Sequence, residues 1–294
     1  MAKRFLRFLQ SDLLFAFGFT IVVISLVLTA IGSRIVPYDP ERAEPADASV
    51  PPPKLADVPA LAISSLAGKL DKPVHWFGTD PAGLDVFSRV LSAPRTDVSI
   101  GLIATVISLV AGTLLGLLAG YYQSWWSELL MRISDVSQAF PVFILAMILV
   151  ALAGRNTNNI ILALVVVYTP IYIRLTRSAV LGIRNSPFVE SARAVGNREI
   201  VIALKHVLPN CLTPSMIQAS VNVGWAILLT SGLSFVGAGV RPPTPEWGSM
   251  IAIGANTIIL GEWWPSVFPG LAISIVVFGY AVVGNALDKA YGSN

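Results

Sequence analysis

Charge is scarce in this chain. Asp, Glu, Lys and Arg make up 13% of its 294 residues, about half the roughly 25% usual in soluble domains. So few charges cannot furnish a water-facing surface for a protein of this size, which excludes an ordinary soluble globular class. Cysteine occurs once, at Cys211. An intrachain disulfide and a cysteine-based metal cluster are therefore excluded. Histidine occurs only at His75 and His206, in segments outside the apolar runs. No His-Glu-x-x-His is present and no acid pair sits in an apolar run, which argues against an intramembrane enzyme.

What is abundant is apolar length. Hydrophobic residues make up 54% of the chain, and about 20 of them in a helix cross a bilayer. Six runs carry no charge: Leu13 to Gly32, Ser99 to Tyr122, Ala139 to Gly154, Ile160 to Ile173, Leu212 to Val240 and Pro265 to Leu287. The third extends back toward Ile133. The fold class expected is an all-α polytopic membrane protein with six transmembrane helices. The first run follows Lys3, Arg4 and Arg7, but it is longer than the apolar core of a signal peptide and reads as a retained anchor. Asp12, Arg132, Asp135, Arg174 and Asp288 all sit near run ends. Ion-coupled carriers keep ionisable groups in mid-membrane, so the pattern argues against one.

Basic residues set the expected orientation. Arg174, Arg177, Arg184, Arg193, Arg198 and Lys205 crowd the connection between the fourth and fifth runs. The opposite short loops offer only Arg155 and Arg241. By the positive-inside rule, the N-terminus, the C-terminus and residues 174–210 lie in the cytoplasm. The expected layout is a cytoplasmic 1–12, a first span over 13–32, an external 33–97 and a five-helix core over 98–288. The core carries a cytoplasmic loop at 185–210 and an external loop at 238–265, and 289–294 form a cytoplasmic tail. Aromatic clusters at 121–126 and 262–270 suit membrane–water interfaces.

The external segments differ from one another. Residues 37–59 are rich in proline, alanine and acid, which predicts an extended, poorly packed stretch. "LDVFSRVL" predicts an amphipathic helix with Val86, Val90 and Leu91 on one side. Asp80 and Asp85 precede it, where carboxylates satisfy free N–H groups. A metal site with His75 is the rival reading of those two aspartates. "MIAIGANTIIL" is too short to span and predicts a surface or re-entrant helix.

Residues 186–210 read as two short helices. Ser186-Pro187 is a helix start, with Glu190 favoured in the first turns by the dipole. Phe188, Ala192 and Val195 share one face. Gly196 permits a left-handed cap, Asn197 starts a second helix, and Pro209 is expected to force an exit. Helices this short need a partner surface, either another protein or the loop itself. On the fifth run, Gln218, Asn222 and Trp225 fall on one face. They either line a polar passage or bond neighbouring helices. Gly112, Gly116 and Gly120 repeat at four-residue spacing and predict a close-packing face.

Glu190-Ser191-Ala192, then Gly196, then Val207-Leu208-Pro209, resembles the EAA loop of bacterial ABC importer permeases, with Ser191 at the middle alanine. "FGTDPAGLDVFSRVL", "LSFVGAGVRPPTPEWGSMI" and "WWPSVFPGLAISIVVFGYAVVGNALD" resemble the C-type permease subunit of dipeptide, oligopeptide and nickel importers. Leu84 stands where the family usually has arginine, Asn285 where aspartate is common, and the 41–73 region is longer than usual. The resemblance implies a type I importer fold, N-in and C-in, in a bacterial inner membrane. It implies that Glu190, Ser191, Ala192, Arg193, Gly196, His206, Leu208 and Pro209 couple the permease to an ATPase. It further implies a second, B-type permease, two ATPase subunits and an external solute-binding protein. ATP and Mg belong to those ATPases, none is expected on this non-catalytic chain, and no nucleic acid is a partner. The implied solute is a di- or oligopeptide, with nickel complexes or oligosaccharides as alternatives.

The topology is testable with reporter fusions. Alkaline phosphatase activity at Gly68 and its absence at Gly292 is the expected result; external activity at Gly292 contradicts the orientation.

Overall fold

A computed structural model describes residues 13–67 and 73–291. Lys3, Arg4, Arg7, Asp12, Gly68 and Gly292 lie outside the described residues. The helices, in chain order, are α1 (Leu13–Ile35), α2 (Val58–Leu66), α3 (Val86–Ser92), α4 (Pro94–Tyr122), α5 (Trp125–Ala139) and α6 (Val142–Ala153). Then come α7 (Thr157–Ile183), α8 (Pro187–Ala194), α9 (Glu199–Ile202), α10 (Leu208–Phe235), α11 (Trp247–Ala255) and α12 (Trp264–Tyr291). Among the described residues the only β-type pairing is an isolated bridge between Thr79 and Asp85. The chain is an all-α polytopic membrane protein. Five helical stretches are long and apolar enough to cross, and a sixth arises if α5 and α6 count as one.

The third run is not the single helix its composition suggests. α5 and α6 meet at 97°. Pro141 restricts the residue before it to extended backbone, and Phe140 has ψ 141° there. α6 alone has 12 residues, roughly 18 Å of rise, short of a bilayer. The fourth run continues as helix through Arg174 to Ile183. Charge ends an apolar run without ending a helix, and Arg174 pairs with Asp135 at 2.5 Å. The fifth run starts four residues earlier than its apolar stretch, at Leu208, and ends at Phe235.

Relative directions follow from the contacts. Gly112 faces Thr169 and Tyr172, Gly116 faces Ile173 and Thr176, and Gly120 faces Arg177 and Val180. Both sets of numbers rise together, so α4 and α7 run parallel. The chain between them must therefore cross back, and the bent α5–α6 pair is the connection that does so. α10 runs antiparallel to α7, since Thr176 meets Ser215 at 2.9 Å and Tyr172 meets Asn222 at 3.0 Å. Gly224 faces Val277 and Tyr280 while Gly284 faces Val221, which makes α12 antiparallel to α10. Gly18 faces Val282 and Gly279 faces Ile21, so α1 is antiparallel to α12. Leu13, Tyr122, Ile183, Leu208 and Tyr291 thus share one end, the basic end. Residues 36–67 and 73–92, with α11, close the other end.

That closed end is more ordered than its proline content suggests. Residues 45–47 form a 3-10 turn and 58–66 a helix. The Glu44 N–H donates to the Gly83 carbonyl at 3.2 Å, and Thr79 N–H to Val50 O at 2.9 Å. A Cβ on Gly83 would lie 2.0 Å from Glu44 O, so a glycine is required for this strap. Asp85 caps α3 by accepting from Ser88 N–H at 2.7 Å, and Asp80 accepts from Ala82 and Leu84 N–H at 2.9 Å. The Asp85 carboxylate accepts from His75 Nδ1 at 2.8 Å, and the His75 ring stacks on Tyr38. Capping and turn bonds account for both aspartates. Val86 and Val90 are buried under α3, and Leu84 is buried as well.

The α4–α7 contact generates a stability prediction. A Cβ on Gly116 would sit 2.5 Å from the Ile173 carbonyl, whereas one on Gly182 meets nothing within 4 Å. Gly116→Leu should cost about 1–3 kcal/mol or more through overpacking. Gly182→Ala should change stability by about 0.5 kcal/mol or less. Denaturation titration in mixed micelles measures both. Equal, small effects would show that the two helices do not meet through this face.

Candidate functional site

The basic end is built by α8, a glycine turn and α9. Pro187 opens α8 at its first position, where its missing N–H costs nothing. The Ser186 hydroxyl does not cap α8; it donates back to Ile183 O at 2.7 Å and closes α7 instead. Glu190 occupies the first turn and is exposed. Ser191 Oγ donates to Pro187 O at 2.8 Å. Gly196 has φ +87°, the left-handed geometry expected of it, and open space around its Cβ position. Asn197 serves the end of α8 rather than the start of α9: its Nδ2 donates to Ala192 O at 3.0 Å, and Arg198 takes the N-cap.

The packed face of α8 is offset from the expected one. Val189 is fully buried with Leu117, Tyr121, Val180, Ile202, Ala203, Val207 and Cys211, and Ala192 and Leu208 pack on that cluster. Phe188 and Val195 point out and are 43% and 83% exposed. Only Ala192 of the expected trio turns inward, because the ends of α4 and α7 crowd that side. Ile200 and Leu204 are also exposed. Four apolar side chains therefore ring the free surface of the turn.

Pro209 does not end the second short helix. Residues 203–207 form a π-helical turn, and Pro209 falls in the first turn of α10. A proline without N–H is accommodated by such a wider turn. One helical path of 37 residues runs from Glu199 to Phe235. The second short helix thus continues directly into a membrane-length helix. His206 is half-buried on the π turn, and its carbonyl accepts from Asn210 Nδ2 at 2.7 Å.

Arg193 does more than its position in the motif suggests. Its Nε donates to Glu199 Oε1 at 2.7 Å and its Nη2 to Oε2 at 3.1 Å. The Tyr121 hydroxyl donates to the same Oε2. The bonds to Glu199 and then to Tyr121 hold the guanidinium above its ordinary pKa. Sequence spacing gave no signal for this cluster, since Tyr121 belongs to an interfacial aromatic run 78 residues from Glu199.

In the membrane, Gln218, Asn222 and Trp225 do share one face of α10. Gln218 Nε2 donates to Asn222 Oδ1 at 2.8 Å, and Asn222 Nδ2 to the Tyr172 hydroxyl at 3.0 Å. Asn222 is buried, so it ties α10 to α7; Trp225 is 59% exposed. The three side chains line an open cleft of about 580 Å³ with Phe143, Tyr168 and Leu229, and no charged residue lines it. Asn222 thus serves both readings of this face, since it bonds α7 and also lines the cleft with Gln218 and Trp225.

A second polar cluster, unseen in the sequence, locks the opposite end. Arg89 is 1% exposed, and its Nη1 donates to Pro40 O and Pro243 O, both at 2.8 Å. Glu246 caps α11 by accepting from Gly248 and Ser249 N–H at 2.9 and 2.6 Å. Burial pushes its carboxyl above the usual range. Asp97 accepts from Trp247 N–H at 3.0 Å, which pins α11 to the start of α4.

The comparisons agree with this architecture. Residues 112–293, more than half of the chain, match the family described as "Binding-protein-dependent transport system inner membrane component". The chain is similar to a dipeptide transport system permease protein of Alkalihalophilus pseudofirmus, 40% identical over 74% of this chain and 71% of the relative. It is similar to a glutathione transport system permease protein of Escherichia coli, 37% identical over 91% of this chain and 82% of that one. The corresponding protein of Pectobacterium atrosepticum is 32% identical over 97% and 88%. With a matching family model over its membrane core and relatives along nearly its whole length, the chain belongs to the binding-protein-dependent transport system inner membrane components, the permease subunits of ABC importers.

Proposed function

We propose that this chain forms half of the translocation path of an ATP-driven importer for di- or oligopeptides. A second, B-type permease supplies the other half, an external binding protein delivers the solute, and two ATPases bind at the basic end. That end is cytoplasmic in this reading, which puts both termini inside and the chain in a bacterial inner membrane. The observation that carries the reading is the surface of α8 and α9. Phe188, Val195, Ile200 and Leu204 are exposed on two helices too short to persist in water unaided. A cleft on an ATPase subunit is the partner that covers them. ATP and Mg bind there, and this chain performs no catalysis itself.

The solute class rests on two supports. The relatives are named for dipeptide and glutathione transport. The cleft at Gln218, Asn222 and Trp225 is uncharged. An uncharged, amide-bearing wall passes peptides of varied side-chain charge without holding any of them, which suits a path better than a binding site. Rigid movement of packed helices, driven by ATPase closure at α8, opens the cleft to one side and then the other.

Two variants test the coupling element. Gly196→Val strains a left-handed backbone by about 1–2 kcal/mol and tilts α8 against α9. Glu190→Lys reverses an exposed charge in the first turn of α8. Both should leave the permease pair assembled and reduce dipeptide uptake into proteoliposomes by about tenfold, the size of a typical coupling energy. Wild-type uptake in both variants would remove 190–210 from the coupling role. Uptake of a nickel chelate or an oligosaccharide in place of dipeptide would overturn the solute class.

A further inference from the structure

The hydrogen-bonded cluster at the basic end joins three elements that also share a buried apolar cluster. Tyr121 closes α4, Arg193 lies on the last turn of α8, and Glu199 opens α9. Val189, Ile202 and Val207 hold these elements together through non-directional contact. The cluster adds direction. Arg193 grips Glu199 with a two-pronged fork, at 2.7 and 3.1 Å, which fixes the orientation of α8 on α9. The same carboxylate takes the hydroxyl of Tyr121, a residue only 9% exposed. Arg184 Nη1 donates to the Tyr121 carbonyl at 3.4 Å and brings in the end of α7.

Stability is a poor explanation for this arrangement. The Arg193 and Glu199 side chains are 50% and 44% exposed, and ion pairs in such settings contribute little. What the cluster does supply is a fixed path with two exits. Glu199 continues through the π turn into α10, and Tyr121 leads into α4, which is locked to α7 at Gly112, Gly116 and Gly120. We propose that Tyr121, Glu199 and Arg193 are positioning residues that carry the movement of the docked short helices into α4 and α10 together. This rests on the ATP-driven reading above and names the link within it. Loss of the link lets α8 follow the ATPase while α4 stays behind.

The assembled complex of both permeases and the ATPases, reconstituted in proteoliposomes with its binding protein, tests the link. The variants are Tyr121→Phe, Glu199→Gln, Arg193→Glu and the swap Arg193→Glu with Glu199→Arg. Three quantities are read: ATPase retained on purification, radiolabelled dipeptide imported per ATP hydrolysed, and the fluorescence change on ATP–vanadate trapping. The dye for the last sits at Leu115→Cys, on the exposed side of α4. Tyr121→Phe and Glu199→Gln should keep the ATPase yet lower dipeptide per ATP, and the dye response, by about three- to tenfold. The swap should regain most of the response that Arg193→Glu loses. Wild-type ratios and responses in both single variants would overturn the proposal. So would loss of the ATPase in both, which would make the cluster a docking element. If the wild-type complex imports no dipeptide, the solute class fails, and the solute-independent dye response alone decides the link.

Discussion

Close approach of α4 and α7 is the constraint on which the rest of the molecule depends. In a bilayer no hydrophobic force draws helices together, so contact area and backbone proximity must do it. Gly112, Gly116 and Gly120 bring α4 within touching distance of the α7 backbone along three turns. The parallel direction of the pair then dictates the course of the chain. It forces a return crossing between Tyr122 and Thr157, which the bent α5–α6 pair makes. It also brings Tyr122 and Ile183 to one end, so the short helices that follow α7 land directly on the end of α4.

From that end, structure leads to function through continuity of the helix. The π turn at 203–207 lets α9 pass Pro209 and become α10 without leaving helical backbone. A displacement of α8 and α9 therefore has no loop in which to dissipate. In the proposed mechanism it reaches α10, whose Asn222 bonds Tyr172 of α7 beside the cleft lined by Gln218 and Trp225. At the far end, Trp247 of α11 donates to Asp97 of α4 and to the Val90 carbonyl of α3, while Arg89 ties α3 to the Pro40 and Pro243 carbonyls of the neighbouring loops. Buried groups of this kind tolerate little rearrangement, because a broken bond leaves a polar group unsatisfied.

Much of this was legible in the chain and some was not. Apolar length located the five helices long enough to cross and the bent α5–α6 pair that makes a sixth if counted as one. The glycine spacing marked the α4–α7 face, and Gly196 marked the turn, because each depends on local geometry. Composition failed where helix and apolar run part company. Arg174 and Arg177 sit inside α7, and Phe140–Pro141 breaks a run whose hydropathy is continuous. Pro209 misled because the π turn at 203–207, not visible in the sequence, lets the helix pass a residue that has no N–H. The offset of the packed face of α8, and the triad of Tyr121, Arg193 and Glu199, depend on which neighbours arrive from distant sequence. Nothing at 186–210 alone announces Tyr121. Residues 37–59 likewise read as loose until the 78–85 turn supplies their hydrogen bonds.

The central claim is that α4 and α7 move as one body while ATP drives the short helices at their shared end. Spin labels at Ile107 and Val166, exposed at matching levels on the two helices, report on it by pulsed electron resonance in the assembled importer. The distance between them should stay constant from the ATP-free to the vanadate-trapped state, while the distance from either label to the second permease changes. A change of several ångström between the two labels themselves would contradict the account.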